Sequence, residues 1–354
     1  MAGTIVAPGR AERVPNARHR ARRPAPTHWR LAALPPTLPA MSESADGGSR
    51  PAAARQRKPS WLKVRAPGGD TYRRVKHALR SRNLHTVCEQ ARCPNVGECW
   101  GGGTATVLLL GPECSRNCRF CGVRSAAPGG RFDPGEPTRV AEAVAALGLR
   151  YVVLTMVTRD DLEDGGAGHV ARTVTELRRH QPGLLVETLV SDFGARVRDL
   201  DVLLTAKPDV FAHNVEVTRR MTPMLRDRRF QYDASLGVLR RARDSGTAGT
   251  IKSSLMVGVG ETDDEVMETL VDLHGAGVEV VTLGQYLRPT AAQAPVDRYV
   301  TPEQFAEYER FGRDLGFAFV VAGPLVRSSY HAAEAFVQAK AGLVGIRLRV
   351  GTTG

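Results

Sequence analysis

The middle of this chain alternates between two hydrophobic periodicities. Short apolar runs typical of buried strands are followed by stretches with apolar residues three or four positions apart, typical of amphipathic helices. The predicted strands are 105–110, 151–155, 184–189, 210–213, 250–257 and 278–283. The predicted helices are 137–147, 170–180, 197–205, 233–244 and 263–274. Strict alternation of strand and helix predicts an α/β fold with a parallel sheet.

Six strand–helix units are fewer than the eight that close a full barrel, so we predict a partial (β/α)6 barrel of the TIM type over residues 104–300. An N-terminal segment, 58–103, should contain a helix from Asp70 to Leu79, capped by Asp70, and then a Gly- and Pro-bearing loop. A C-terminal segment, 301–354, should contain a helix at 302–315, a strand at 317–321 and a last helix near 332–341. Polar motifs follow five of the strands, and active sites of barrels lie at the carboxyl ends of strands. We therefore expect these motifs to face one mouth.

Charge is concentrated in the first residues of the chain. Residues 1–59 contain eleven Lys and Arg against three acids, so they carry +8 of the total net charge of +12, and they contain nine of the 22 prolines. A Pro-, Arg- and Ala-rich stretch buries too little apolar surface to offset chain entropy, so 1–57 is predicted to be disordered. It fits a nucleic-acid-binding arm, a transit peptide or an unstructured extension with Met41 as an alternative start. We favour the extension, because solvated basic tails are common.

The remaining composition is that of an ordinary globular protein, with 42% apolar residues. No apolar run approaches the length needed to cross a bilayer, so we expect a soluble protein without a membrane partner. Because we favour an unstructured extension over a nucleic-acid-binding arm, we expect no nucleic-acid partner either.

All six cysteines fall in two triplets. Cys114, Cys118 and Cys121 follow the first predicted strand, and Cys88, Cys93 and Cys99 precede it. Three thiolates in one loop can hold an iron–sulfur cluster while leaving one iron open to a substrate or cofactor. A zinc knuckle or unrelated core cysteines would also fit either triplet taken alone. Thiols concentrated in this way in a long chain without a secretory signal indicate reduced, cytoplasmic metal chemistry.

The spacing Cys-x3-Cys-x2-Cys resembles the cysteine loop of the radical S-adenosylmethionine (radical SAM) superfamily, and Phe120 matches the aromatic residue that precedes the third cysteine there. Segment 86–100, TVCEQARCPNVGECW, resembles the auxiliary-cluster motif of the lipoyl synthase family within that superfamily. Further segments resemble that family in order along the chain, from about Lys58 to about Ala341: 159–166, 208–216, 255–262, 284–290 and 323–332.

This resemblance implies a partial barrel of the radical SAM type and an enzyme of lipoyl formation, a sulfurtransferase. Two sulfur atoms are inserted at C6 and C8 of a protein-bound octanoyl-lysine, with SAM as the radical source and an auxiliary Fe–S cluster as the sulfur donor. Unactivated C–H bonds have no useful acidity, so a cofactor-derived radical must open them. The implied cofactors are two [4Fe–4S] clusters and SAM.

The resemblance also implies roles for individual residues. The SAM-binding cluster is held by Cys114, Cys118 and Cys121, and the auxiliary cluster by Cys88, Cys93, Cys99 and Ser329. The implied SAM contacts are Phe120, Asp164, Gly165, Gly166, Asn214, Glu216, Gly258, Glu261 and Arg288. Plainer interpretations are a helix N-cap for Ser328 and Ser329, turns for the glycine motifs, and a surface position for Arg288.

The implied partners are octanoylated lipoyl domains of 2-oxoacid dehydrogenase complexes or the glycine cleavage H protein, reduced ferredoxin or flavodoxin, and an iron–sulfur carrier protein. Some positions depart from the family pattern, among them Ser254 in place of glycine, the strand exit 155–158, and 217–221. Three alternatives therefore stay open: a paralogue with another substrate, a sulfur inserter resembling biotin synthase, and a metal-bearing nucleic-acid-binding protein.

Overall fold

The computed structural model describes residues 57–64, 67–101, 106–329 and Lys340, all within one unit that spans Arg57–Gly354. Residues 1–56 of the predicted tail 1–57, Tyr330, and the predicted last helix near 332–341 apart from Lys340 lie outside the described residues. The strands of the described residues are β1 His85–Thr86, β2 Thr106–Leu109, β3 Glu113–Cys114, β4 Arg124–Ser125, β5 Tyr151–Met156, β6 Leu185–Leu189, β7 Val210–Ala212, β8 Thr250–Val257, β9 Val280–Gln285 and β10 Phe319–Gly323.

The α-helices within the described ranges are α1 Asp70–Arg80, α2 Val87–Gln90, α3 Val96–Gly101, α4 Glu136–Leu147, α5 Ala167–His180, α6 Val197–Leu204, α7 Thr222–Leu225, α8 Tyr232–Ser245, α9 Asp263–Gly275 and α10 Pro302–Leu315. Short 3-10 helices lie at Ser60–Leu62 and Phe193–Ala195. In this part of the chain, no helix is both long and apolar enough to cross a membrane.

The main sheet has the strand order β1-β2-β5-β6-β7-β8-β9-β10. Every neighbouring pair is parallel except β1 and β2, which are antiparallel. The predicted partial barrel is confirmed, and β10 adds a seventh parallel strand to the six expected. It pairs with β9 from Phe319↔Val280 to Gly323↔Gly284, although it lies beyond the predicted boundary at residue 300.

Local signals explain where the barrel helices start and stop. Thr262 and Glu265 form a capping box at the start of α9, each side chain accepting from the backbone of the other residue. Thr301 accepts from the Gln304 amide at the start of α10, and Pro302 occupies the first helical position. Most buried apolar residues of these helices and of the strands belong to one core, and strand residues such as Tyr151, Val153 and Val280 lie in smaller separate clusters.

The N-terminal segment differs from the prediction in two places. The helix begins at Asp70 but Gly69 occupies the cap position, and Asp70 instead pairs with Arg73. Cys88 and Cys99 lie on two short helices, α2 and α3, and Cys93 lies between them, where we expected a loop throughout. Thr86 caps α2 by accepting from the Glu89 amide. We did not predict this helix, because the Gly and Pro residues nearby indicated a loop.

The sheet contains a buried ion pair away from the cysteine segments. Lys252 Nζ lies 2.9 and 3.1 Å from the two carboxylate oxygens of Glu187, and the Tyr151 hydroxyl donates to Glu187 Oε2 at 2.6 Å. Lys252 and Glu187 are both buried. Because each charge is compensated by the other, removing one partner leaves an uncompensated charge in the core.

We predict that Lys252→Met lowers the free energy of unfolding by about 3–5 kcal/mol. The double variant Glu187→Gln/Lys252→Met should cost less than the sum of the two single variants, because it removes both charges while the glutamine introduced at position 187 can still accept from Tyr151. Urea denaturation of the four proteins measures this coupling. Arg241→Ala, which breaks a half-exposed pair with Asp201, is the control and should change stability by about 1 kcal/mol at most. Additive single effects at 187 and 252 would contradict the prediction.

Candidate active site

A cavity of about 490 Å³ lies at the carboxyl ends of the parallel strands. Its wall includes residues that end or follow each of the seven strands, together with the segment that carries the first cysteine triplet. The wall contains Val87, Cys88, Cys93–Val96, Cys99, Cys114, Cys118, Phe120–Val123, Thr155–Thr158, Leu189–Ser191, His213, Asn214, Glu216, Ser254–Met256, Gly284–Pro289 and Val326–Ser329. The predicted common mouth therefore exists, and both cysteine triplets face it.

The loop of Cys114, Cys118 and Cys121 is held by backbone donors aimed at its sulfurs. The Arg116 amide donates to Cys114 Sγ at 3.4 Å, and the Asp227 amide donates to Cys118 Sγ at 3.3 Å. A backbone hydrogen bond from Val123 acts on Cys121 and lowers its pKa, although burial outweighs it and raises that pKa to about 12. Amide donors to sulfur are one of the means by which proteins tune an Fe–S cluster.

The other triplet packs on the helix α1. Cys88 lies on α2 and Cys99 on α3, and burial raises the pKa of both thiols, that of Cys99 to about 12. The Trp100 indole, next to Cys99, is fully buried, stacks on Tyr72 with ring centroids 5.1 Å apart, and acts on the Cys88 sulfur in the direction that lowers its pKa. Besides burial, the charge of Cys93 raises the pKa of Cys88, and the charges of Cys88 and Cys93 raise the pKa of Cys99.

The C-terminal segment after β10 closes the cavity beside this triplet. Asn95, between Cys93 and Cys99, donates from Nδ2 to the Leu325 carbonyl at 2.7 Å. Two residues further on, the half-buried Arg327 lies near Cys93. Ser329 then follows on the cavity wall, at 3.0 Å from the Thr106 hydroxyl of β2. The structure thus brings Ser329 to the same wall as Cys88, Cys93 and Cys99, although these residues are far apart in the sequence.

The two triplets approach each other at Gly122. A Cβ at this position would lie 3.3 Å from Ala91 Cα, 3.3 Å from the Gln90 carbonyl oxygen and 3.2 Å from Pro289 Cβ. Gly122 directly follows Cys121, and Gln90 and Ala91 lie between Cys88 and Cys93. The backbones of the two cysteine segments are therefore in contact, and glycine is the residue that permits this approach.

These residues fit two iron–sulfur clusters. Soft thiolates are the ligands that such clusters prefer, and each triplet lies on the wall of a cavity large enough to admit a further ligand. Within the described ranges, no three His, Cys, Asp or Glu side chains are arranged to hold a single metal ion. The thiolates of a four-iron cluster each bind a different iron, so their sulfurs do not have to converge on one point.

The exit of β7 brings three polar side chains to the cavity. His213 is fully buried and its Nδ1 lies 2.9 Å from the Val190 carbonyl oxygen, so Nδ1 carries the proton and Nε2 is a hydrogen-bond acceptor without a partner. Asn214 donates from Nδ2 to Glu216 Oε1 at 3.1 Å. Glu216 has a φ of 67°, which costs about 1–2 kcal/mol for a side chain of this kind, and its backbone pairs with β8. Pairing with β8 holds Glu216 in this strained conformation at the cavity.

Two arginines that the sequence analysis did not identify enclose this polar group. Arg226 and Arg116 are both buried, and their guanidinium carbons lie 3.8 and 4.0 Å from the Phe230 ring centroid. Arg116 is neutralised by Asp160 and Asp192. Arg226 donates to the Val215 carbonyl and to Ser235, while its Nε is buried without a partner. Its charge lowers the pKa values of Cys118 and Glu216, against the effect of burial. No local sequence signal distinguishes Arg226 from the exposed arginines around it.

The structure does not bring all of the predicted SAM contacts to the cavity wall. Asp164 accepts the Gly166 and Gly168 amides at 2.8 Å each and so caps α5. Gly166 has a φ of 91°, and a Cβ there would lie 2.3 Å from Leu110 Cδ1, so this glycine lets the loop pack on the core. At neighbouring Gly165 a Cβ would meet the Phe193 ring. Asp164, Gly165 and Gly166 thus have structural partners away from the wall.

The glycine motif after β8 also lies away from the cavity wall. Glu261 is buried and accepts the Gly258 amide at 2.6 Å and the Val259 amide at 2.9 Å. A Cβ on Gly258 would lie 2.2 Å from Gln285 Nε2 and 2.4 Å from the Arg298 carbonyl oxygen. Gly258 and Glu261 are therefore engaged within their own loop and are not part of the wall.

Other predicted residues do line the cavity. Phe120 packs in a small apolar cluster with Met221 and Tyr286, and Arg288 is at the edge of the cavity with its Nε donating to the Gln293 carbonyl. Ser254, a departure from the family pattern, is buried on the wall. Its hydroxyl is engaged with the Thr282 carbonyl and hydroxyl, so this serine costs no unpaired polar group.

Comparison with known proteins agrees with this geometry. The radical SAM superfamily model matches residues 108–273, and the model for the N-terminal domain of lipoyl synthase of the radical SAM family matches residues 36–93. Lipoyl synthase of Sorangium cellulosum is 58% identical over 79% of this chain and 79% of its own length. Lipoyl synthase of Thermus thermophilus is 50% identical over 82% of this chain and 90% of its own length.

Among solved structures, SuiB of Streptococcus suis bound to the precursor peptide SuiA aligns with a TM-score of 0.49 at 10% identity. That alignment covers 68% of this chain and 54% of SuiB, so this chain matches about half the length of that protein.

A partial parallel barrel whose mouth presents a Cys-x3-Cys-x2-Cys loop defines a radical SAM protein. The chain is at least 50% identical to these two lipoyl synthases over about four-fifths of its length. Such identity defines the family within the superfamily. The chain belongs to the lipoyl synthase family.

The buried histidine of the cavity makes stability depend on pH. Burial, reinforced by Arg226, lowers the pKa of His213 to about 4 from the 6.5 of a free histidine. Between these values the unfolded chain binds more protons at this site than the folded one, so stability falls as the pH is lowered from 6.5 to 4. We predict that His213→Gln makes the free energy of unfolding of the cluster-free protein less dependent on pH in this window. Urea denaturation at several pH values measures it. His180→Gln, at an exposed position, is the control, and an unchanged slope in His213→Gln would contradict the prediction.

Proposed function

We propose that this protein is a lipoyl synthase that inserts two sulfur atoms at C6 and C8 of an octanoyl group amide-linked to a lysine of a carrier protein. The observation that carries this proposal is that both cysteine triplets and Ser329 line one cavity at the carboxyl end of the barrel. A radical generator and a sulfur source must both reach the same short alkyl chain, and a shared cavity satisfies this requirement. Family membership supports the same activity.

Each triplet has a separate task in this proposal. Cys114, Cys118 and Cys121 hold the SAM-binding cluster, and Cys88, Cys93, Cys99 and Ser329 hold the auxiliary cluster. When bound, the first cluster would supply the electron for the cleavage of SAM, which yields a carbon-centred radical, and the second would supply the sulfur atoms. An oxygen ligand is harder than a thiolate and binds iron less firmly, which suits a cluster that gives up its sulfur.

The polar end of the cavity suits SAM. Arg226 has a buried, unpartnered Nε beside Cys118 and provides a positive charge for the SAM carboxylate. Asn214 and Glu216 offer an amide and a carboxylate to the ribose hydroxyls. His213 Nε2 can accept from a hydroxyl or an amine. Phe120 and Arg288 complete the wall, whereas Asp164, Gly165, Gly166, Gly258 and Glu261 would act indirectly, by shaping the loops around it.

The apolar part of the wall suits the alkyl chain. Leu108, Val190, Leu255 and Val326 line the cavity and present no group that can exchange a proton with a methylene. Such a lining excludes water from the reacting carbons, so a carbon radical formed there is protected from side reactions.

The substrate is protein-bound, so a carrier domain must present its lysine arm to the mouth. We propose octanoylated lipoyl domains of 2-oxoacid dehydrogenase complexes or the glycine cleavage H protein as carriers. Reduced ferredoxin or flavodoxin would donate the electron, and an iron–sulfur carrier protein would rebuild the auxiliary cluster. Six reduced thiols require a reducing compartment such as the cytoplasm.

The test is an anaerobic reaction of the reconstituted protein with reductant, SAM and an octanoylated lipoyl-domain peptide, followed by mass spectrometry. We expect about eight irons per chain and a peptide carrying two additional sulfur atoms. A preparation that binds one or two zinc ions and no iron would overturn the proposal in favour of a structural metal protein, including one that binds nucleic acid. Sulfur insertion into a different substrate only would indicate a paralogue.

Two single variants separate the tasks of the triplets. We predict that Cys114→Ala abolishes SAM cleavage, because the SAM-binding cluster loses a ligand. We predict that Cys93→Ala still cleaves SAM to 5′-deoxyadenosine but forms no lipoyl product, because the sulfur source is lost. Liquid chromatography of both products measures these outcomes. Lipoyl product from Cys93→Ala would contradict the assignment of the sulfur donor.

A further inference from the structure

Thr106, the first residue of β2, contacts two of the four proposed auxiliary ligands. Its side chain is buried and its hydroxyl donates to Ser329 Oγ at 3.0 Å. Its backbone makes a hydrogen bond to the Cys88 sulfur. Thr106 therefore joins Ser329 to Cys88, two residues that lie far apart in the sequence.

Ser329 has little else to orient it. Within the described ranges, the Thr106 hydroxyl is the one hydrogen-bond partner that the structure gives to the Ser329 side chain. The segment before it is anchored, since Asn95 donates to the Leu325 carbonyl and Val326 lies across Gly284, where a Cβ would come within 2.0 Å of the Val326 carbonyl oxygen. These contacts fix the backbone, but the direction of a serine hydroxyl depends on its own rotamer and its own partner.

We propose that Thr106 is the positioning residue of the auxiliary centre, holding the Ser329 oxygen toward Cys88, Cys93 and Cys99 through a hydrogen bond to that oxygen. This inference rests on the proposed function, in which Ser329 is the fourth ligand. Accepting one hydrogen bond leaves a lone pair of the oxygen free for iron. Residues that orient a metal ligand in this way commonly contribute about 10–100-fold to metal affinity.

The plainer interpretation is that Thr106 is a buried threonine satisfying its hydroxyl. Buried hydroxyls need a partner in any protein, and the contact with Ser329 at 3.0 Å supplies one. The two interpretations differ in what they predict for iron. A merely structural threonine affects folding, whereas a positioning residue affects how firmly the auxiliary centre keeps its metal, and only while Ser329 is present.

The experiment uses the full chain with Cys114, Cys118 and Cys121 all changed to Ala, so that bound iron reports the auxiliary centre alone. After anaerobic reconstitution, iron per chain and the rate of iron transfer to a ferrous chelator are measured for this parent and for Thr106→Val and Thr106→Ser. Valine is close in shape and keeps the strand, and serine keeps the hydroxyl. Thr188→Val, a buried strand threonine away from the cavity wall, is the matched control.

We expect Thr106→Val to lose iron about tenfold faster than the parent, with Thr106→Ser within about threefold of it and Thr188→Val unchanged. Ser329→Ala should also lose iron faster. Adding Thr106→Val to Ser329→Ala should have no further effect, because the two residues act through one bond. A structural effect of Thr106→Val would instead persist in that background, and this result would overturn the proposal.

The remaining outcomes separate this inference from the proposed function. Fast iron loss in Ser329→Ala with a parental rate in Thr106→Val would overturn the role of Thr106 and leave the ligand assignment standing. A parental rate in Ser329→Ala would overturn the ligand assignment and this inference together. A parent that takes up no iron would overturn the auxiliary centre itself. Thermal unfolding of the iron-free variants confirms that each is folded.

Discussion

All seven parallel strands end at the same rim, and this constraint decides where chemistry can occur in the molecule. In a parallel sheet the carboxyl ends cannot be distributed over two edges, so the loops after β2, β5, β6, β7, β8, β9 and β10 must meet. Two cysteine segments, a polar group after β7 and the segment of Ser329 consequently line one cavity. The N-terminal triplet follows the antiparallel strand β1, which pairs with β2, and it lines the wall of the same cavity.

Close backbone packing, a left-handed backbone position and buried charges hold the loops of the rim in place. Gly122 lets the two cysteine segments touch, and Glu216 adopts a left-handed backbone that pairing with β8 keeps in place. Arg226 buries a positive charge near Cys118, whereas the buried Arg116 is neutralised by Asp160 and Asp192. Buried positive charge of this kind favours anionic occupants, which matches thiolate-held clusters and the carboxylate of SAM.

Sequence reasoning succeeded where a feature depends on neighbours in the chain. The span of α10 follows from Thr301, Pro302 and the spacing of its apolar residues, and the strand positions follow from apolar runs. It was incomplete where a feature depends on distant partners. Asp164 and Glu261 look like ligand-binding residues in sequence, yet each accepts two backbone amides of its own loop. Arg226 gave no signal, because burial near Cys118 and Glu216 is what distinguishes it, and burial depends on distant parts of the chain.

The sequence by itself determined the chemistry and the class of fold. Thiolates at cluster-like spacing and the alternation of strands and helices are local properties, so they can be read without the structure. Only the tertiary structure decided which of these residues act together. It placed Ser329 against Thr106, brought Gly122 against Ala91, and added β10 to the barrel. These outcomes depend on packing between residues far apart in the chain, and no local pattern encodes the distance between them.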